Sequence, residues 1–305
     1  MSSSNNISKK GREVVNNFIS SLSLYSDLSP KTLKEYTSDF NHFISWFESS
    51  DSFKEELIVF HPEDISTPTI TKYREVSQKE LGLKPATINR RIVTLKRFFG
   101  WAVAEGLINR DPSKPIKMVP EEKASPRQMT DKEEAALMAA VENYGTLRDQ
   151  TIITIMLHAG LREMEICNLT RGDITIGKRS GLLSVQGKRN KYRDVPLNIT
   201  CRTILEKYLS TLPKESEYLF PSTKTGERLT ERAIRHMIKK YMDEARIVGL
   251  SAHDLRHRFG YVMAQNTPLH RLAQIMGHDN LNTTMIYIKA THEDLQSEVE
   301  KIAWQ

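Results

Sequence analysis

The chain has 305 residues, 39% hydrophobic and 27% charged, with a net charge of +6 at neutral pH. That length suits two ordinary domains, and the apolar content is enough for a core in each. The two cysteines, Cys167 and Cys201, exclude a disulfide scaffold; no apolar run nears the ~18 residues of a membrane span.

The opening MSSSNNISKKGREVVNN carries no apolar secretory stretch, so a cytoplasmic protein is expected. The mild basic excess favours an anionic partner such as nucleic acid. Residues 1–12 read as a disordered N-terminus. A first helical pattern covers Val14–Leu24. Ser29-Pro30 opens a second helix, serine as cap and proline at the first position. Its apolar positions Leu33, Tyr36, Phe40, Phe43, Ile44 and Phe47 are spaced by three and four. Residues 48–63 read as a loop. Ser66-Thr67-Pro68 starts a third helix, and Lys84-Pro85 a fourth that carries Ile88, Ile92, Leu95, Phe98, Phe99 and Val103. A helical domain over 13–110 follows from this.

Residues 111–127 are rich in Pro, Lys and Glu without hydrophobic period, and read as an exposed interdomain linker. The second domain, 128–305, begins with the capping box Thr130–Glu133. Helices are expected at about 131–143 and 146–158, with another from Glu163. Between 173 and 198, Ile174, Ile176, Leu182, Val185, Val195 and Leu197 alternate with glycines and suggest a small three-stranded sheet. Helices resume at about 199–210, 230–247, 253–265, 268–276, 282–289 and 292–302. The fold class is thus mainly α with a small antiparallel β-sheet.

Four segments of the second domain hold candidate chemistry: AGLREMEI (159–166), QGKRNKYRDVPL (186–197), AHDLRHRF (252–259) and LAQIMGHDNLNTTMIYI (272–288). Singly, each has a plain reading: a helix-capping arginine, a solvated basic turn, histidines on a helix surface, a tyrosine filling a core. Together, the order Arg162, Lys188, His253-x-x-Arg256, His278, Tyr287 resembles the tyrosine recombinase (phage integrase) family. The matching pieces are G-L-R-x-x-E at 160–165, G-K-x-x-K at 187–191, H-x-L-R-H at 253–257 and G-H-x5-T-x2-Y at 277–287. SPKTLKEYTSDFNHFISWF and KPATINRRIVTLKRFFGWAVAEGLI in the first domain resemble the family's SAM-like core-binding module. The resemblance covers about residues 13–302.

It implies a two-domain DNA clamp that cuts and rejoins DNA through a 3′-phosphotyrosyl intermediate at Tyr287, exchanging strands between two sites without cofactor, metal or ATP. The chemistry suits the residues. Arg162 and Arg256 present planar forks that grip phosphate oxygens and stay charged. Lys188 can deliver a proton to the departing 5′ oxygen. His253, three residues before Arg256, shares its helical face and suits a base for the phenol. His278 can donate to a non-bridging oxygen, and Glu165 would orient Arg162 or His253. Lys191 competes with Lys188, and Tyr192, Tyr241 and Tyr261 with Tyr287, though only Tyr287 follows the GH…T spacing.

The HDLRH histidines have zinc spacing, but a zincin needs Glu in the second position, and Arg256 would repel a metal. The residues also admit a type IB topoisomerase, which reseals the same strand, or a non-catalytic DNA-binding protein. For DNA contact, Arg90, Arg91 and Lys96 with Thr87 and Asn89 on the fourth helix are candidates, the last two as readers of base edges. So are Arg232, Arg235 and Lys239 on a helix resembling the family's major-groove helix. The expected partner is double-stranded DNA with an inverted-repeat core site. The amphipathic tail 292–305 is expected to dock into a neighbouring subunit of a homotetramer, as in this family, with accessory DNA-binding proteins as further partners. An Xer-like, simple type without an arm-binding domain is expected.

Overall fold

The computed structural model describes residues 7–25, 28–49, 58–121, 127–187 and 191–288. The chain divides into two compact units, Met1–Lys123 and Ala124–Gln305.

The first unit is helical: α1 (Lys9–Tyr25), α2 (Pro30–Ser49), α3 (Thr67–Lys79) and α4 (Pro85–Ala104). Proline stands in the first turn of α2, α3 and α4, where its missing N–H costs nothing. On α4, Ile88, Ile92, Leu95, Phe98, Phe99 and Ala102 are buried along one stripe. They meet Phe18 of α1 and Phe40, Phe43 and Ile44 of α2, with Phe40 and Phe98 rings 4.1 Å apart. Burying each such side chain contributes roughly 1.5–3 kcal/mol, so this aromatic stripe holds the unit together.

Two expectations change here. The N-terminal stretch is helical from Lys9, not disordered through 12. Ser8 accepts the Gly11 amide at 2.9 Å and is itself held by Glu48, while Ile7 is buried. The segment after α4 is no free linker either. Ile116 and Val119 are buried in the first unit's core, and the Asn89 amide clasps both the N–H and the C=O of Val119. Two apolar residues three apart are too short a signal for a periodicity reading, yet enough to pin the strand of chain that carries them.

The second unit contains α5 (Asp131–Tyr144), α6 (Leu147–His158), α7 (Glu163–Asn168), a sheet, then α8 (Ile199–Thr211), α9 (Glu231–Glu244), α10 (Ala252–Ala264) and α11 (Leu269–Met276). The sheet is β1 (Ile174–Ile176), β2 (Gly181–Gln186) and β3 (Tyr192–Pro196), antiparallel in that order. Leu183 pairs with Val195 and both are buried, which fixes the register, since a slip by one residue would turn every apolar side chain outward. Helix α6 is buried from Thr151 to Leu157 and forms the centre of the core. The capping box at Thr130 is present, with its side chain on the Glu133 amide at 3.2 Å. In place of a helix over 282–289 the chain makes two 3-10 turns, Leu281–Thr283 and Met285–Tyr287. Adjacent Asn282, Thr283 and Thr284 are poor helix formers, and Thr284 is drawn inward by a hydrogen bond to His278. The mainly helical class with a small antiparallel sheet is as the sequence led us to expect.

Candidate active site

Arg162 is the N-cap residue of α7, so its backbone N–H is unpaired within the helix and is taken by Glu165 at 2.7 Å. That reach places Glu165 under a cluster of guanidinium groups. The Glu165 carboxylate, 3% exposed, accepts Arg162 Nη1 at 2.8 Å and Arg193 Nη1 and Nη2 at 2.8 and 3.0 Å; Arg256 Nη1 lies 3.8 Å away. Burial pushes the Glu165 pKa up, but the bonds and charges of Arg193 and Arg162 outweigh it, and the group stays below its usual value.

Arg256 lies on α10 and is 2% exposed. It donates to the carbonyls of Gly160 at 2.5 Å and Met276 at 2.6 Å, and to His278 Nε2 at 3.0 Å. Burial, then the charge of Arg162, lowers its pKa to about 10, leaving it a cation. Arg162 is the more accessible of the pair, its side chain 31% exposed, with Nη2 on the Gly277 carbonyl at 3.0 Å. Arg162 is thus open to solvent, while the Arg256 charge is buried.

His278 follows Gly277, which ends α11 in the left-handed region at φ 63°. A side chain at 277 would be strained and would also strike Arg193 at 2.9 Å. A guanidinium can only donate, so His278 Nε2 is the acceptor and its Nδ1–H donates to Thr284 Oγ1 at 2.8 Å. Burial, then Arg256 and Arg162, depress the His278 pKa to about 4. The expected donor to a non-bridging oxygen is thus occupied here: in this arrangement His278 braces Arg256, and its N–H is spent on the threonine of its own motif.

Tyr287 ends the last 3-10 turn, 5% exposed. Its ring rests on α10 at Gly260, where an added Cβ would lie 2.5 Å from ring carbon Cζ. The Tyr261 ring meets it edge-on at 5.1 Å. Its hydroxyl is hydrogen-bonded to His257 Nδ1 at 3.0 Å. Burial pushes the phenol up to about 12, against the opposing pull of Arg256. The rival tyrosines have other surroundings. Tyr241 is buried and bonded to Asp149 at 2.8 Å, Tyr192 is exposed on β3, and Tyr261 packs against the Tyr287 ring.

His253 sits at the exposed start of α10, its ring edge-on to His257 at 4.6 Å. Lys188 lies outside the described residues. On either side of it in the chain, Gly187 N–H donates to Lys191 C=O at 2.7 Å, and Lys191 lines a cleft together with Arg162, Arg193 and His278. Two residues of the site escaped the sequence reading. Arg193 was one of several cations in a basic turn, and its alternation onto the same side of β3 as the buried strand face was the signal available. His257 stands one turn after His253 and was legible only as a helix-surface residue.

The proposed DNA contacts fare unevenly. Asn89 is committed to Val119. Arg90 pairs with buried Asp39 at 2.7 Å, and Arg91, 14% exposed, lies against His42 and Tyr73. Thr87 and Lys96 are half-buried on α4. On α9, Arg235 pairs with Glu163 and Glu231 and Lys239 with Asp243, while Arg232 is exposed near the helix start.

Residues 127–294 match the Phage integrase family, and residues 15–106 match the Phage integrase, N-terminal SAM-like domain. The chain is similar to the tyrosine recombinase XerC of Pelotomaculum thermopropionicum, 30% identical over 301 residues that cover 94% of this chain and 96% of that protein. It is also similar to XerC of Thermodesulfovibrio yellowstonii, 27% identical over 303 residues, 94% of this chain and 93% of the other. In fold it resembles the XerH site-specific recombinase bound to palindromic difH substrate in a post-cleavage complex. The TM-score is 0.72 at 20% identity, over 88% of this chain and 79% of that one.

Proposed function

The chain belongs to the phage integrase family, and we propose that it is a site-specific DNA recombinase of the tyrosine type, acting in the cytoplasm on paired inverted-repeat sites. The observation that carries this reading is the single cluster in which Arg162, Arg193 and Arg256 surround Glu165 beside His278 and Tyr287. Phosphoryl transfer needs an in-line nucleophile, fixed positive charge on the non-bridging oxygens, and a proton for the leaving group.

Each need has a candidate. The Tyr287 hydroxyl attacks the scissile phosphorus. Arg162 grips a non-bridging oxygen with the donors that Glu165 and Gly277 leave over, and the buried charge of Arg256 stabilises the transition state through a dry medium. Arg193 does not reach for substrate in this arrangement; it locks Glu165 and, through Nε on the Ile275 carbonyl at 2.9 Å, ties β3 to α11. Lys188, which falls between β2 and β3 in the sequence, protonates the departing 5′ oxygen. His253, at the solvent edge of α10, meets a substrate oxygen, and a histidine of that helix takes the phenol proton. The tyrosyl ester conserves the energy of the broken bond, so resealing needs no ATP.

Strand exchange requires a second duplex. XerH, similar in fold, is a site-specific recombinase bound to a palindromic substrate, which favours inverted-repeat sites here. The tail 292–305, outside the described residues, is proposed to reach into a neighbouring subunit of a tetramer. The test is exchange of label between two duplexes carrying the cognate repeat, in EDTA and without ATP. Recombinant product supports the reading. Relaxation of supercoiled plasmid irrespective of sequence, without exchange, would instead place the chain with type IB topoisomerases.

A further inference from the structure

Taking the recombinase reading as its premise, we propose that His257, rather than His253, is the base that accepts the proton of the Tyr287 hydroxyl.

Among the described residues, the hydrogen-bond partner of that hydroxyl is His257 Nδ1, at 3.0 Å, a heavy-atom distance suited to proton transfer. The contact is built rather than incidental. Gly260, one turn further along α10, removes the side chain that would otherwise fill the place of the Tyr287 ring, and Tyr261 closes the slot edge-on. The ring is therefore held against the helix that carries His257, with its oxygen presented to Nδ1. His253 does not share this position. Its ring lies edge-on to that of His257, at the exposed first turn of the helix, where it feels the charges of Arg256 and Arg162.

The charges facing His257 favour an available lone pair. Burial lowers its pKa, as do His253 and Arg256 on its own helix, against the opposite pull of Asp254. From the C-terminal segment it faces Tyr287, and His278 lies close enough to feel its charge. A neutral imidazole with Nδ1 unprotonated can only accept at that nitrogen, so the phenol is the donor. A phenol pushed up to about 12 does not ionise unaided near neutral pH, so its proton needs an acceptor, and His257 is the side chain in contact with it.

The step balances without any further reagent. A lone pair of Tyr287 Oη forms the bond to phosphorus while its proton passes to His257 Nδ1. The P–O5′ pair leaves with the 5′ oxygen, which takes a proton from the ammonium of Lys188. In resealing, the incoming 5′ hydroxyl returns its proton to that lysine, and the imidazolium returns its own to the departing phenol.

The experiment uses the full chain in single-turnover reactions on a nicked duplex, built on the inverted repeat that wild-type protein retains from fragmented host DNA. It reads formation of the covalent adduct. His257→Ala should react about 100-fold more slowly or worse, the usual reach of a lost base, and added imidazole should restore part of the rate. His257→Asn keeps a hydrogen-bond acceptor near Nδ1 but no basicity, and should stay as slow as the alanine variant. A 5′-bridging phosphorothioate, whose sulfur leaves without protonation, should rescue Lys188→Ala but not His257→Ala. Gel shifts check that each variant still binds the duplex.

Wild-type speed in the asparagine variant would reduce His257 to a hydrogen-bonding prop and overturn the assignment. So would a His257→Ala rate within about threefold of wild type, or imidazole rescue confined to His253→Ala. Wild-type protein that forms no adduct at all would sink the recombinase reading itself, an outcome distinct from a normal wild type beside an unimpaired His257 variant.

Discussion

Replacing Glu165 by glutamine tests whether the cationic cluster is held by one buried carboxylate. Three guanidinium groups converge on it, two within 2.8 Å and the third at 3.8 Å, and their side chains are 31%, 14% and 2% exposed for Arg162, Arg193 and Arg256. Glutamine preserves shape but removes the charge, and one of its two heads then presents N–H groups toward donors. Breaking a buried ion pair from one side typically costs about 3–5 kcal/mol. Arg162 is partly solvated and can turn outward, which places the expected loss at the lower end, about 3 kcal/mol. In a unit of this size that corresponds to a fall in Tm of roughly 6–12 °C.

Calorimetric unfolding of the full chain reads the loss, with adduct formation on a nicked duplex as the parallel measure of function. The pH dependence supplies a sign. Glu165 titrates below its ordinary 4.5 in the folded chain, so its contribution is complete above that value and is lost as pH falls through the folded pKa. The gap between wild type and E165Q should therefore close as acid is added from pH 5 downward. A loss below about 1 kcal/mol, or a gap that does not change with acid, would refute the claim that this carboxylate carries the cluster.

Other outcomes follow from single contacts. Gly260→Ala places a carbon 2.5 Å from the Tyr287 ring and must displace it; adduct formation should fall about 100-fold, as expected for a nucleophile misplaced by an ångström, with DNA binding by gel shift unchanged. Gly277→Ala combines a left-handed backbone with a 2.9 Å approach to Arg193; it should cost about 1–2 kcal/mol or more in urea unfolding and slow cleavage as well. His42 is held near a pKa of about 4 by burial and then Arg91, so it stays neutral in the folded chain while the unfolded chain binds a proton below about 6.5. Stability of the first unit should therefore decline between pH 7 and 5, by at most about 2 kcal/mol from this group, and His42→Gln should flatten that slope in urea titrations.

Much of this was legible because the signals were local and repeated. The stripe from Ile88 to Phe99 along α4 states its buried face, and Thr130 with Glu133 marks the start of α5. Spacing relative to Gly277, His278 and Thr284 singled out Tyr287 from nine other tyrosines, and in the structure that threonine does bond that histidine. What stayed hidden depends on contacts between distant positions. Arg193 looked like one more cation of a basic turn, and only pairing with Glu165, 28 residues earlier, reveals its task. His257 gains meaning from a tyrosine 30 residues later. Ile116 and Val119 gave no period, since a pinned strand of chain needs only two anchors. Charge alone also hides partners: Arg91 and Arg235 were candidates for DNA, and the structure adds Asp39 near the first and Glu163 with Glu231 beside the second.

The central claim is that Tyr287 becomes esterified to a DNA strand. The direct measurement is peptide mass mapping of the adduct trapped on a nicked cognate duplex, with Tyr287→Phe alongside. The account predicts a nucleotide 3′-phosphate on the peptide containing residue 287 and no adduct from the phenylalanine variant. A modified peptide elsewhere in the chain, or crosslinking that survives the substitution, would contradict it.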